Sequence, residues 1–128
     1  MSKLVLIDSS AWVEATRRGG NAETAAYLQG LLSEGRVAMT EPIWVELFQG
    51  IRGRREEEDL TAVRSLSVSL PFDETCWELA ARNGHLCLRA GVNVPFGDLL
   101  VDACARRYEI ELVERDRHFA MIAGAVEG

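Results

Sequence analysis

The sequence predicts an α/β fold in which helices cover both faces of a mostly parallel central sheet. Residues 3–8, KLVLID, are apolar almost without alternation, which is typical of a strand buried on both faces of a parallel sheet. Helical stretches separate this strand from later short apolar runs, the order of elements that right-handed crossovers connect. No linker, repeat or low-complexity segment interrupts the chain, so we expect residues 1–128 to form one domain.

The first half of the chain is predicted to continue from this strand with three helices and one further strand. A serine directly after the strand can cap the first helix, and a proline near the first turn favours the third helix. In order, we expect a helix from Ser9 or Ser10, a helix over 22–33 that stops at Gly35, a strand over 36–40, and a helix from Glu41 that directs Ile43, Leu47 and Ile51 inward.

The second half is predicted to contain three helices, two short strands and a final piece. Its first segment is rich in Arg and Glu and has a thin apolar face, so we expect a solvated helix there. In order, we expect a helix over 54–66, a strand over 67–71, a helix over 73–89, a helix that begins at Asp98, a strand over 110–116, and a helical or irregular piece over 118–126.

The composition, 48% hydrophobic and 27% charged, fits a compact globule rather than a disordered chain. The apolar runs are shorter than the roughly 20 residues that cross a bilayer, and no signal peptide is evident, so we expect a cytoplasmic protein. Cys76, Cys87 and Cys104 form no C-x-x-C pair and lie among apolar residues at helical spacing. This pattern favours buried, reduced thiols over metal ligands.

Four acidic residues, here called the acidic quartet, are predicted to meet at one edge of the sheet: Asp8, Glu46, Asp98 and Asp116. Ligands of open parallel sheets bind outside the carboxyl ends of the strands. Asp8 ends the first strand, Asp116 follows the last predicted strand, Asp98 opens a helix, and Glu46 lies in the helix after the second strand. Each residue alone has a simpler role as a strand end, a turn residue, a cap or a solvent-facing side chain. Their expected convergence at one edge of the sheet is what indicates a functional site.

Clustered carboxylates raise one another's pKa unless positive charge compensates. Oxygen ligands suit Mg²⁺ or Mn²⁺, whereas Zn²⁺ would require His or Cys, which we do not expect at this edge of the sheet. A metal held by carboxylates activates water and clamps phosphate oxygens during in-line displacement. The pattern therefore indicates phosphodiester hydrolysis.

Four segments together resemble the PIN-domain nucleases, and specifically the VapC toxins of bacterial toxin–antitoxin pairs. They are LVLIDSSAWVE (4–14), EPIWVELFQGI (41–51), GVNVPFGDLLVDACA (91–105) and LVERDRHFAMI (112–122). The resemblance covers nearly the whole chain. It implies a single PIN-like domain and an endoribonuclease that binds Mg²⁺ or Mn²⁺ through the acidic quartet, with Asp8 and Asp98 the surest ligands. It gives the Ser10 hydroxyl a supporting role.

The chain departs from the family pattern at three positions. Glu114 stands where the family more often has a small hydroxyl residue, and His118 stands where it has a second acidic residue. Asp102, one helical turn after Asp98, stands where many relatives have a small residue, and we favour a boundary role for it over a fifth acid at the site. His118 and His85 are interpreted as partly buried structural residues, outside the catalytic set.

The resemblance also implies three partners: an RNA substrate, a small VapB-like antitoxin and a second copy of the chain in a homodimer. The apolar surface around Trp12, Trp44 and Phe48 is the expected antitoxin contact, unless these aromatic residues belong to the core. A solitary PIN-domain ribonuclease and a PIN-like module that binds RNA or protein without cutting are competing interpretations of the same residues. A phosphatase is a poor fit, because Ser10 stands where that class needs a second Asp.

The net charge of −6 does not exclude RNA. The acidic quartet supplies four negative charges, so one bound Mg²⁺ changes −6 to −4 and two change it to −2. Two basic clusters can contact phosphates: Arg17 with Arg18, and Arg52 with Arg54 and Arg55. A solvated helix face is the favoured interpretation of Arg54 and Arg55.

Overall fold

The structure, a computed structural model, describes residues 3–16 and 20–128. Four strands and seven helices lie within these ranges. In chain order they are β1 (Val5–Ile7), α1 (Ser9–Thr16), α2 (Ala22–Ser33), β2 (Val37–Met39), α3 (Glu41–Gln49), α4 (Arg54–Leu66), β3 (Val68–Ser69), α5 (Glu74–Arg89), α6 (Phe96–Tyr108), β4 (Glu111–Val113) and α7 (His118–Glu127). Among the helices of these described ranges, none combines the length and the apolar character that spanning a bilayer requires.

The four strands form one sheet in the order β3-β2-β1-β4, and every neighbouring pair is parallel. β1 is central, and its Val5 pairs with Val37 on one side and with Glu111 on the other. Every residue of β1 and β2 is buried, because inner strands of a parallel sheet are covered on both faces. The predicted α/β fold with a parallel sheet is confirmed.

The chain changes its direction across the sheet after β3. It moves from β1 through β2 to β3, and then returns to the other side of β1 to form β4. Since crossovers between parallel strands are right-handed as a rule, this reversal predicts that the connections before and after β3 cross opposite faces of the sheet. Ligands of such sheets bind at the carboxyl ends of the strands where the order reverses. At that edge the Asp8 amide donates to the Val113 carbonyl at 2.9 Å and joins the end of β1 to the end of β4.

The core lies along β1 and the helices that pack on it. All three cysteines are buried and free, as predicted. Burial raises the pKa of the Cys76 thiol to about 12, so this thiol stays protonated and unreactive. Trp12 is only 5% exposed and belongs to the same core. Trp12 was expected either in the antitoxin contact or in the core, and the structure places it in the core.

The elements match the predicted ones in number and order, and the differences lie at their ends. α2 and α4 have their predicted bounds. α6 begins at Phe96 rather than at Asp98, because Pro95 has the extended backbone of an N-cap (φ −61°, ψ 144°) and starts the helix earlier. α3 ends at Gln49, so Ile51 lies beyond it. The strands are only two or three residues long, shorter than predicted.

Candidate active site

Asp8 lies directly after β1 and is 1% exposed. Its Oδ2 accepts hydrogen bonds from the Ser10 amide at 3.1 Å and from Ser10 Oγ at 2.7 Å. Asp8 therefore caps α1 itself, a role that was predicted for Ser9 or Ser10. Its other oxygen, Oδ1, is buried and has no hydrogen-bond partner among the residues that the structure describes. A buried acceptor without a partner is uncommon in proteins and points to a function.

Ser10 connects Asp8 to the end of β4. Its Oγ donates to Asp8 and accepts a hydrogen bond from the Arg115 amide at 2.9 Å. Arg115 lies in the turn between β4 and α7, next to Asp116. The Ser10 hydroxyl therefore fixes the Asp8 carboxylate relative to the turn that carries Asp116.

Replacing Ser10 with alanine is expected to weaken divalent-ion binding about tenfold, since hydrogen-bond partners of metal ligands typically contribute 10–100-fold to affinity. The change leaves the Arg115 amide without its acceptor and frees Asp8 to rotate. Titration calorimetry with MnCl₂ measures the effect. Ser10→Thr keeps the hydroxyl and is the matched control. Equal affinity in Ser10→Ala and the unchanged protein would contradict this role.

Glu46 reaches the same region from α3. Its carboxylate lies against Gly97 in the first turn of α6, so closely that a β-carbon on this glycine would be 3.2 Å from Oε1. Burial, followed by the charge of Asp8, raises the pKa of Glu46. Its Oε1 is buried and has no hydrogen-bond partner within the described part of the chain. Glu46 is therefore packed among other acids and does not face solvent freely.

Asp98 is 6% exposed in the first turn of α6. Burial raises its pKa to about 6, and the charges of Asp116 and Asp8 add to the rise. Its Oδ2 is another buried oxygen that lacks a hydrogen-bond partner within residues 3–16 and 20–128. Asp98 thus interacts electrostatically with two other members of the acidic quartet.

Asp116 is held by the turn that follows β4. Its amide donates to the Glu114 carboxylate at 2.9 Å, and its Oδ1 accepts from the His118 amide at 2.9 Å. Burial alone would raise the pKa of Asp116, but the hydrogen bond from the His118 amide and the neighbouring Asp98 carboxyl bring it below its ordinary value. Glu114 therefore shapes the turn, and the structure brings all four members of the acidic quartet together.

His118 belongs to this cluster, although it was predicted to lie outside the catalytic set. Its side chain is 25% exposed, so the predicted partial burial is correct, and its Nδ1 atom is buried against two aspartates. Nδ1 lies 3.0 Å from Asp98 Oδ2 and 2.5 Å from Asp116 Oδ1. The sequence signal that could have revealed the contact with Asp116 is the Asp-x-His spacing of Asp116 and His118 after β4. The contact with Asp98 depends on the packing of α6 against α7, which the sequence does not reveal.

Asp102 does not join the acidic quartet. It is 6% exposed, and its Oδ2 accepts a hydrogen bond from Arg106 Nε at 2.7 Å. Arg106 also pairs with Glu127 of α7 at 2.9 Å. Asp102 is therefore neither a fifth acid of the site nor a boundary residue, because it is buried and forms an ion pair with Arg106 one turn later in the same helix.

The sequence model of the PIN domain family matches residues 5–125 of the chain. The chain belongs to the PIN domain family. It is similar to the protein named Ribonuclease VapC11 from Mycobacterium tuberculosis and to the VapC ribonuclease Mb1587 from Mycobacterium bovis. Each is 36% identical over 124 residues, which cover 94% of this chain and 92% of the relative.

Solved structures share the fold of this PIN domain at lower sequence identity. FitAcB from Neisseria gonorrhoeae has a TM-score of 0.77 at 22% identity, and the match covers 93% of each chain. VapBC2 from Rickettsia felis, bound to a DNA fragment from its promoter, has a TM-score of 0.72 at 14% identity. That match covers 89% of this chain and 88% of the other. At these identities the structures support the PIN fold alone.

The donor atoms of this PIN domain fit a divalent cation. Three members of the acidic quartet have a buried oxygen that no described residue hydrogen-bonds: Asp8 Oδ1, Glu46 Oε1 and Asp98 Oδ2. One ligand atom each from Asp98, Asp116 and His118 lies within 4.8 Å of the other two. Buried carboxylates without partners are costly, and a bound cation removes both the mutual repulsion and the lack of partners.

The described residues that were expected to contact RNA or a partner protein differ in their exposure. Arg52, Arg54 and Arg55 are exposed, while Arg17 and Arg18 lie outside the described residues. Trp44 packs partly against the core, with the Arg64 guanidinium 4.2 Å from its ring centre. Phe48 is 43% exposed. Of the three aromatic residues predicted for antitoxin contact, Phe48 is the exposed one.

Proposed function

We propose that this PIN domain is a metal-dependent endoribonuclease and the toxin component of a type II toxin–antitoxin pair. The observation that carries the proposal is the convergence of four carboxylates from four chain segments. Three of them have a buried oxygen that lacks a hydrogen-bond partner among the described residues. A purely structural buried acid is paired, as Asp102 is with Arg106. Similar proteins named as ribonucleases support RNA as the substrate.

In the proposed site the acidic quartet holds Mg²⁺ or Mn²⁺. When bound, the ion supplies a Lewis acid that lowers the pKa of water and offsets negative charge on phosphate oxygens. The chain itself keeps the ligand oxygens in place: Ser10 holds Asp8, the His118 amide holds Asp116, and Gly97 lets Glu46 approach α6. Fixed charges of this kind stabilise a transition state without reorganisation during the reaction.

Cleavage of circular RNA by the purified protein tests the proposal, because a circle has no ends for an exonuclease. We expect linear products with Mg²⁺ or Mn²⁺, no products with EDTA, and no products from Asp98→Asn under either condition. Binding of the metal without cleavage of transfer, ribosomal or messenger RNA would favour a non-cleaving PIN module instead. Equal cleavage by Asp98→Asn would refute the site.

The proposed partner is a small VapB-like antitoxin that binds exposed apolar side chains of α1 and α3. These include Val13, Val45 and Phe48, which are 47%, 57% and 43% exposed. We expect a reading frame for a small protein directly upstream, and co-expression should yield a complex that inhibits cleavage. Without such a frame, a solitary PIN ribonuclease is the better description.

We also propose that the chain forms a homodimer. Light scattering of the metal-loaded protein without antitoxin should then give twice the mass of one chain at micromolar concentration. A monomer under these conditions would contradict the dimer and leave the proposed nuclease site unaffected.

A further inference from the structure

We infer that Nδ1 of His118 is a direct ligand of the ion bound by the acidic quartet, and that this nitrogen makes the site prefer first-row transition ions such as Mn²⁺ over Mg²⁺. The inference rests on the proposed function for the presence of an ion. It adds a fifth ligand residue, of a different chemical type, and a metal preference that follows from it.

The position of the ring is the first reason. Nδ1 of His118 lies 3.0 Å from Asp98 Oδ2 and 2.5 Å from Asp116 Oδ1, and ligand atoms of these three residues are within 4.8 Å of one another. The three residues come from the first turn of α6, the turn after β4 and the start of α7. Their donor atoms therefore surround a common space that one ion can contact.

The absence of hydrogen bonds at two of these atoms is the second reason. Within the described part of the chain, His118 Nδ1 and Asp98 Oδ2 are both buried and have no hydrogen-bond partner, despite their short separation. The Asp98 side chain is only 8% exposed, so water does not freely supply a partner. A nitrogen and an oxygen that are buried, close and not hydrogen-bonded to each other are placed as two ligands of a shared cation would be.

The chemistry of the donors sets the metal preference. Mg²⁺ is a hard ion that binds oxygen and gives up its waters reluctantly. Imidazole nitrogen favours first-row transition ions, and the stability of their complexes rises along the series from Mn²⁺. A site of carboxylates plus one imidazole therefore discriminates against Mg²⁺ more strongly than a site of carboxylates alone. The nearby His118 amide, which donates to Asp116 Oδ1, also fixes the backbone from which the ring projects.

A positioning role is the competing explanation for the same contacts. In that case the ring would hold Asp98 and Asp116 in place but would not bind the ion. Both roles predict that loss of His118 reduces activity, so an activity assay does not separate them. A spectroscopic signature of a nitrogen ligand does.

Electron paramagnetic resonance of Mn²⁺ bound to the full chain is the test. Pulsed spectra of the unchanged protein should contain hyperfine coupling from a directly bonded nitrogen, and His118→Asp should lose this coupling while it still binds Mn²⁺ through oxygen. Competition with Mg²⁺ measures selectivity: the Mg²⁺ concentration that displaces half of the Mn²⁺ should fall about tenfold in His118→Asp. His85→Asp, at the other histidine of the chain on the exposed face of α5, is the matched control and should change neither readout.

The outcomes separate this inference from the proposed function. Bound Mn²⁺ without nitrogen coupling, or unchanged Mn²⁺ selectivity in His118→Asp, would overturn the ligand role and leave a nuclease with oxygen ligands only. Nitrogen coupling in a protein that cleaves no RNA would support the ligand role and refute the nuclease. A protein that binds no Mn²⁺ would overturn both.

Discussion

Asp8→Asn is expected to reduce metal-dependent RNA cleavage about a hundredfold or more. Replacing a residue that only supports a metal ligand already costs roughly 10–100-fold, and Asp8 offers its own buried oxygen, Oδ1, to the site. An amide oxygen is a weaker ligand than a carboxylate oxygen and carries no charge to balance the ion. Initial rates on a defined RNA, measured with Mg²⁺ and with Mn²⁺, test the expectation.

The same substitution should leave the fold intact, which makes the loss of activity interpretable. Asn caps helix N-termini about as well as Asp, so the hydrogen bond from the Ser10 amide that starts α1 can be kept. Removing one negative charge from a cluster that raises the pKa of Asp98 also relieves repulsion. We therefore expect the metal-free variant to unfold at the same temperature as the unchanged protein or at a higher one.

Asp59→Asn is the matched control for Asp8→Asn, since Asp59 is exposed on α4 and the substitution removes the same charge. Both variants should be purified in parallel with the unchanged protein, so that traces of host nuclease are equal in all three. Only Asp8→Asn should lose activity. If Asp8→Asn and Asp59→Asn cleave at the same rate, the cleavage does not arise at the acidic quartet.

The positions of Asp8, Glu46 and Asp116 were predictable because each follows from a local pattern. An uninterrupted apolar run placed Asp8 at the end of a buried parallel strand, and the second and last strands placed Glu46 and Asp116 at the same edge of the sheet. The bounds of α2 and α4 were equally local, since Asn21 and Gly53 cap these helices and Gly35, with φ of 69°, follows the end of α2. Periodicity and caps are properties of adjacent residues, so the sequence displays them directly.

The missed features depend on packing between distant segments. His118 meets Asp98 only because α7 packs on α6, and Arg106 reaches Glu127 for the same reason, whereas the pair of Asp102 and Arg106 lies within α6. Trp12 was ambiguous because an aromatic residue on a helix suits either a core or a docking surface, and the choice depends on the helices that cover it. The start of α6 was misjudged because Asp98 resembles a cap, whereas the N-cap is Pro95 and Asp98 is the third residue of the helix.

Divalent ions are expected to stabilise the folded chain, because they bind oxygens that folding brings together and that the unfolded chain separates. At an ion concentration one hundred times the dissociation constant, linkage predicts a gain of about 2.7 kcal/mol in the free energy of unfolding. For a chain of this size the gain corresponds to a rise of roughly 8 °C in Tm. Scanning calorimetry with MnCl₂, and again after addition of EDTA, measures it.

Asp98→Asn separates this specific stabilisation from a general effect of salt. The variant should begin with a higher Tm without metal, because the loss of one buried charge relieves repulsion from Asp8 and Asp116. It should then gain little when MnCl₂ is added, because one buried ligand oxygen is neutral. KCl at the same ionic strength should affect both proteins equally.

The Tm of the unchanged protein should therefore start below that of Asp98→Asn and exceed it as the MnCl₂ concentration rises. Such a crossing is expected of an acidic cluster that destabilises the fold without an ion and stabilises it around one. If the Tm values of both proteins instead rise in parallel with the MnCl₂ concentration, the ion binds elsewhere and does not compensate the repulsion among the carboxylates.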